Sequence, residues 1–290
     1  GSIARAETPR ENGQVMYSLS SRDRTALKLF LEEAARWITD QSPARVASAS
    51  LVRMNCLACH TYADAGGPER AVAAYFESLD DADLGDEGRI PPTLSHIGSK
   101  LIAAWMREVL ENAAVARPYM ATRMPQFGTA NVEHLPETLR AASGVTSVQD
   151  DGPTHPEDFA SIGRHLVGIG GFNCIQCHSI AGRAGVNVPG PDLALAPERL
   201  RHEYFERWIL EPSVIHPGTR MPSYFIAGMS PSSQLGGDPD QQVNAMWAYL
   251  SQGEALPLPD GLPDPGGFAI SVEDNPVVFR TFMSDVGSRA

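Results

Sequence analysis

At 290 residues the chain is long enough for two compact domains, each with a core of its own. Hydrophobic residues make up 42% and charged residues 20%, an ordinary globular composition, while 26 Gly and 23 Pro point to short helices and long connections. A formal net charge of -12 argues against a nucleic-acid partner, because binding phosphates takes a basic surface and none stands out; no run approaches the roughly 20 apolar residues that cross a bilayer.

The opening Gly1-Ser2 resembles an expression-vector remnant, and residues 1–14 are expected to be that remnant and a disordered N-terminus. Ser20 and Asp23 form a capping-box pattern ahead of Leu27, Phe30, Leu31, Ala34 and Ile38, whose spacing predicts an amphipathic helix. Ser42 followed by Pro43 reads as a cap and first helical position, leading a second helix towards Cys56.

All four cysteines fall in two short blocks, Cys56-Leu57-Ala58-Cys59-His60 and Cys174-Ile175-Gln176-Cys177-His178. Each has the C-x-x-C-H form of covalent c-type haem attachment. Positions i and i+3 on one helical turn face the same way, so both thiols can reach the haem vinyl groups and the histidine that follows can ligate the iron. A zinc site made of both pairs would keep them within a few tens of residues, and here 115 residues run from Cys59 to Cys174. A thioredoxin-like pair needs a strand before it and a helix after it, and no alternating apolar strand flanks either block. Two disulfides leave the histidine after each pair unexplained. A haem-free metal or disulfide scaffold predicts a colourless protein.

A second set of features recurs downstream of both blocks in the same order. After His60 come Pro91-Pro92-Thr93-Leu94, then Lys100-Leu101 opening an apolar stretch with Trp105, then Thr122-Arg123-Met124-Pro125. After His178 come Gly190-Pro191-Asp192-Leu193, then Arg199-Leu200 with Tyr204 and Trp208, then Thr219-Arg220-Met221-Pro222. Pro92 to Leu101 and Pro191 to Leu200 are both 9 residues, while His60 to Pro92 is 32 and His178 to Pro191 is 13. The first copy therefore carries a 19-residue insertion within residues 61–90, whose Asp80-Asp81-Ala82-Asp83, Gly85, Asp86 and Gly88 read as an exposed loop.

A helix over residues 135–142 should close the first copy, with residues 146–156 as linker. The second copy opens with a helix near residues 159–167, broken by Gly168, Gly170 and Gly171, and closes with a helix carrying Val243, Met246, Trp247 and Leu250 on one face. Residues 254–290, with Pro257, Pro259, Pro263 and Pro265, read as a Pro/Gly-rich tail; its apolar end near Phe279 suggests a truncated junction to a further domain.

The order of C-x-x-C-H, a proline, a helix and a methionine before proline resembles the small class I c-type cytochromes, over about residues 15–253. The resemblance implies an all-α fold: two tandem cytochrome c-like helical domains with long irregular loops and two haem c cofactors. The first would span residues 15–145, with an extra N-terminal helix and the insertion, and the second residues 157–253. On matching positions it implies that Cys56, Cys59, Cys174 and Cys177 bind the haems, with His60 and His178 as proximal ligands and Met124 and Met221 as distal ones. Met120 is the rival one helical turn before Met124, and bis-His ligation stays open. Pro92 and Pro191 would place a carbonyl on the other ring nitrogen of each histidine, fixing its orientation. Arg123, Arg220, Trp105 and Tyr204 are candidate haem propionate contacts, with solvated arginines and packed aromatics the equal alternative.

A haem closed by His and Met offers no open position, so the resemblance implies electron transfer rather than catalysis, in a soluble carrier or the relay domain of a larger redox protein. The alternative is a dihaem enzyme of the cytochrome c peroxidase type, in which one haem loses its distal ligand. The implied location is the periplasm or another exported bacterial compartment, and the implied partners are a redox donor and acceptor with basic or neutral surfaces.

Overall fold

The computed structural model describes residues 10–11, 14–15, 17–79, 84–147, 152–187, 190–253 and 256–262. It is mostly helical, 49% helix against 6% strand, with no barrel. Among the described residues no helix is long and apolar enough to cross a membrane.

Near the N-terminus, β1 (Arg10–Glu11) pairs antiparallel with β2 (Gln14–Val15), so part of the segment expected to be disordered is paired. Helix α1 (Ser21–Thr39) starts on the capping box, in which Asp23 N–H donates to Ser20 Oγ and Ser20 N–H donates to Asp23 Oδ2, both at 3.1 Å. Its apolar stripe is not buried: Phe30 is 66% and Ile38 76% exposed. Periodicity fixes which residues share a face, and whether another element covers that face is a tertiary matter. Helix α2 (Pro43–Arg53) begins at Pro43, but the Ser42 side chain makes no cap; the Ser42 N–H instead donates to Asp40 Oδ1 at 2.8 Å.

The first half packs α2 and the turn Ile97–Lys100 against α4 (Leu135–Ala142), with α3 (Ala103–Asn112) alongside. Ala47, Leu51, Ile97, Met106, Val132 and Leu135 form its core. The approach at Gly98 is close enough that a Cβ there would collide with the carbonyl of Leu139. In the second half α5 (Phe159–Val167) crosses α7 (Pro239–Leu250) where Gly163 faces the carbonyl of Ala245, leaving no room for a side chain. Helix α6 (His202–Leu210) closes over a core that includes Leu166, Ile175, Phe205, Val243, Met246 and Leu250. Helices α4 and α5 have the limits expected from the sequence.

Residues 256–262, expected to belong to a tail, form the last layer of this half. Leu256 and Leu262 are buried, Arg164 Nε donates to the Leu258 carbonyl at 2.7 Å, and Ile169 N–H donates to the Asp260 carbonyl at 2.9 Å. Proline spacing signals the absence of a helix and says nothing about two leucines that find a core. The remainder of the expected tail lies outside the described residues, as does the tract Asp80-Asp81-Ala82-Asp83.

The halves meet at equivalent points of the repeat. Leu101 and Leu200 form an antiparallel bridge, with Ile102 N–H donating to the Arg199 carbonyl at 3.0 Å and Arg201 N–H to the Lys100 carbonyl at 2.9 Å. The described part of the insertion is not simply an exposed loop. Residues 77–79 pair with residues 119–121, and the turn Gly85–Gly88 buries Gly88 and turns Glu87 towards the second half. Charge density predicted solvation; the hydroxyl that Glu87 meets, 132 residues away, is invisible to a local pattern.

Candidate functional site

Each cysteine block starts from an asparagine in the left-handed region, Asn55 at φ 56° and Asn173 at φ 57°. Asparagine is among the few residues that adopt this conformation readily. The reversal launches one 3₁₀ turn, Cys56–Ala58 and Cys174–Gln176. The N–H groups of His60 and His178 donate back to the carbonyls of Cys56 and Cys174 at 2.9 and 3.0 Å. Two thiols and an imidazole thus project from a single turn in both copies.

Each imidazole is fixed from behind. His60 Nδ1 lies 2.6 Å from the Pro92 carbonyl oxygen and His178 Nδ1 lies 2.8 Å from that of Pro191. A carbonyl only accepts, so Nδ1 carries the proton and the neutral ring keeps its lone pair on Nε2. Burial, which favours the neutral ring, holds both imidazoles below their usual pKa, and the bond to the proline carbonyl opposes it only in part. The proline segments are held by equivalent bonds, Leu94 N–H to the Thr61 carbonyl at 2.8 Å and Leu193 N–H to the Ser179 carbonyl at 2.9 Å. In the second copy the approach depends on Gly190, where a Cβ would sit 2.8 Å from His178 Nδ1 and collide with the Cys177 carbonyl.

Cys174, Cys177 and His178 face a cavity of about 440 Å³, which Met221 and Pro222 also line. That volume lies within the roughly 300–1,000 Å³ of cofactor pockets. Its walls include several aromatic rings: Tyr204 and Trp208 stack with ring centroids 6.0 Å apart, and Phe172 packs on Tyr224 at 5.1 Å. Burial pushes the Cys174 thiol up to about 12 and raises Cys177 and Cys56 as well. Thiols held neutral in this way are unlike the activated thiolate of an exchange pair. None of the four cysteines is in a disulfide. Among the described residues no three His, Cys, Asp or Glu side chains gather as a metal cage.

The structure therefore brings Cys174, Cys177, His178, Pro191, Tyr204, Arg220 and Met221 to one cavity. None of Cys56, Cys59, His60, Trp105, Arg123 or Met124 lines it. Trp105 is half-buried on α3 and Met124 is half-buried on the loop beyond it. Arg123 donates to the carbonyls of Pro118, at 3.0 Å, and Met120, so its guanidinium staples its own loop. Met120 is 7% exposed and pairs through its backbone with Ser78.

Sequence reasoning overlooked Asn55 and Asn173, although an asparagine before the first cysteine of both blocks was there to be seen. It also treated Lys100 and Arg199 only as the openings of apolar stretches, whereas both line the cavity. No protein-family model, curated protein or solved structure matches the chain.

Proposed function

We propose that the chain is an electron-transfer protein or relay domain, two cytochrome c-like domains in tandem, each holding one covalently attached haem c. One observation carries the reading: Cys174, Cys177, His178 and Met221 converge on a single cavity of cofactor size, with the His178 ring anchored through Nδ1. The fit is chemical as well as steric. The two thiols would form the thioether links, and His178 Nε2 and the Met221 sulfur would hold the iron. The internal repeat assigns the same roles to Cys56, Cys59, His60 and Met124 in the first copy.

When bound, haem c supplies a one-electron ferric/ferrous couple. The chain's own residues set its conditions. The Pro191 carbonyl orients the imidazole and raises its basicity, the neutral thioether of Met221 favours the ferrous form, and Phe172, Trp208 and Tyr224 keep water away. With His178 and Met221 both holding the iron, no position would be left for a substrate, and the site would serve as a relay. Haem attachment of this type implies an exported compartment such as the periplasm, and the acidic chain suits a basic or neutral redox partner.

The test is expression in a host that attaches haem, followed by haem quantitation and electron paramagnetic resonance. Two covalent haems per chain, both low-spin, are expected. A colourless protein overturns the reading. A five-coordinate high-spin haem with peroxide turnover replaces it with the peroxidase-type enzyme.

A further inference from the structure

Lys100 and Arg199 occupy the same place in the two copies of the repeat, each eight residues after its proline. The reciprocal main-chain bonds around Leu101 and Leu200 hold these residues beside each other, and both line the cavity of the second copy. Arg117, also from the first half, lines it as well, with Nη1 donating to the Glu87 carbonyl at 3.1 Å.

Lys100, Arg117 and Arg199 line this cavity together, with Glu87 and Asp192 as the carboxylates among its described lining residues. Both carboxylates are engaged: Glu87 Oε2 accepts from Thr219, and Asp192 accepts from the N–H groups of Ala181 and Gly182 at 3.0 and 2.6 Å. Arg199 Nε is buried with no hydrogen-bond partner. Lys100 Nζ lies over the rings of Tyr204 and Trp208, 5.1 and 5.8 Å from their centroids. Burial and the neighbouring guanidiniums bring Lys100 down to about 7 and Arg199 to about 10. Buried cations are tolerated when a counter-charge accompanies them, and Lys100, Arg117 and Arg199, gathered in one cavity, suit an anionic ligand group such as a carboxylate.

We propose that Lys100 and Arg117 of the first half join Arg199 in neutralising the two propionates of the haem attached at Cys174 and Cys177, so that the second haem site is complete only with both halves in place. The proposal rests on the haem reading above and adds to it a site built across the repeat. Removing one of these cations leaves propionate charge uncompensated, which favours ferric iron and lowers the potential of that haem alone.

The test is potentiometric titration of the full haem-loaded chain carrying Lys100→Gln, Arg117→Gln, Arg199→Gln or the conservative Lys100→Arg, each with its haem content measured. The second-copy haem is identified as the one whose wave moves in Met221→His. Lys100→Gln and Arg117→Gln, both outside the second copy, are expected to lower that wave, and Arg199→Gln to do the same. At the wild-type midpoint this means a ratio of reduced to oxidised haem about tenfold lower, the size of one charge interaction at this depth. Lys100→Arg should retain the wild-type value. Two haems with that wave unmoved in all three glutamine variants, or a shift confined to the other wave, overturns the inference and leaves the haem reading standing. Fewer than two haems in the wild type overturns both.

Discussion

Glu87 and Thr219 join the two halves of the chain: the threonine hydroxyl donates to Glu87 Oε2 at 2.8 Å, and the same oxygen accepts the Arg220 N–H at 3.1 Å. Thr219 Oγ1 in turn accepts the Met221 N–H at 3.3 Å, so a carboxylate from the first-copy insertion tethers the loop that carries Met221. Glu87→Ala is therefore expected to free this loop, raising amide exchange at residues 219–221 and costing about 1.5 kcal/mol of stability, the low end for a hydrogen bond to a charged group. Glu87→Gln keeps an acceptor and should lose less. Unchanged exchange in Glu87→Ala would show that the loop holds its place unaided.

The left-handed asparagines give a symmetrical prediction. Asn55→Val and Asn173→Val should each cost roughly 1–2 kcal/mol, because a β-branched residue resists φ near +57°. Asn55→Gly and Asn173→Gly should be nearly neutral. Thermal unfolding of the four variants decides it; a valine variant as stable as wild type would mean that the turn relaxes out of the left-handed region.

Gly190→Ala addresses the imidazole anchor directly. Its Cβ would crowd the Cys177 carbonyl and His178 Nδ1, and relief requires the segment bearing Pro191 to move away. Expected are a loss of about 1–3 kcal/mol, the usual cost of overpacking, and loss of the slow-exchanging His178 Nδ1 proton in the nuclear magnetic resonance spectrum. If that proton persists with unchanged stability, the Pro191 bond does not depend on the glycine.

Local features were legible in the sequence because their causes are local. Ser20 with Asp23 marked the start of α1, apolar spacing marked α7, and α4 and α5 lie where helices were expected to close the first copy and open the second. Cys174, Cys177, His178 and Met221 were singled out by the repeat, and the structure brings them to one cavity. What stayed hidden has long-range causes. The stripe on α1 looks like a core face yet Phe30 and Ile38 are exposed, since periodicity does not say what packs opposite. Glu87 looked like part of a solvated acidic loop, and only the folded chain sets it beside Thr219. Lys100 reached the second-copy cavity through a backbone bridge between Leu101 and Leu200 that no local pattern encodes.

The choice between Met120 and Met124 can be made by substitution, because the two side chains sit in different surroundings. Met120 is nearly buried where the chain pairs with the insertion: Ala121 N–H donates to the Glu77 carbonyl at 3.0 Å and Leu79 N–H to the Tyr119 carbonyl at 2.6 Å. Bonds on both sides of Met120 hold its backbone in that pairing. Met124 lies beyond it, half-buried, at the repeat position of Met221, which does line a cavity. In haem-loaded protein Met124→Leu should change the optical and magnetic signature of one haem and leave the other as it was. Met120→Leu, a volume-conserving change in a packed site, should leave both signatures intact and cost less than about 1.5 kcal/mol. The reverse pattern would assign the ligand to Met120, and no change in either variant would leave the first haem to a donor other than methionine.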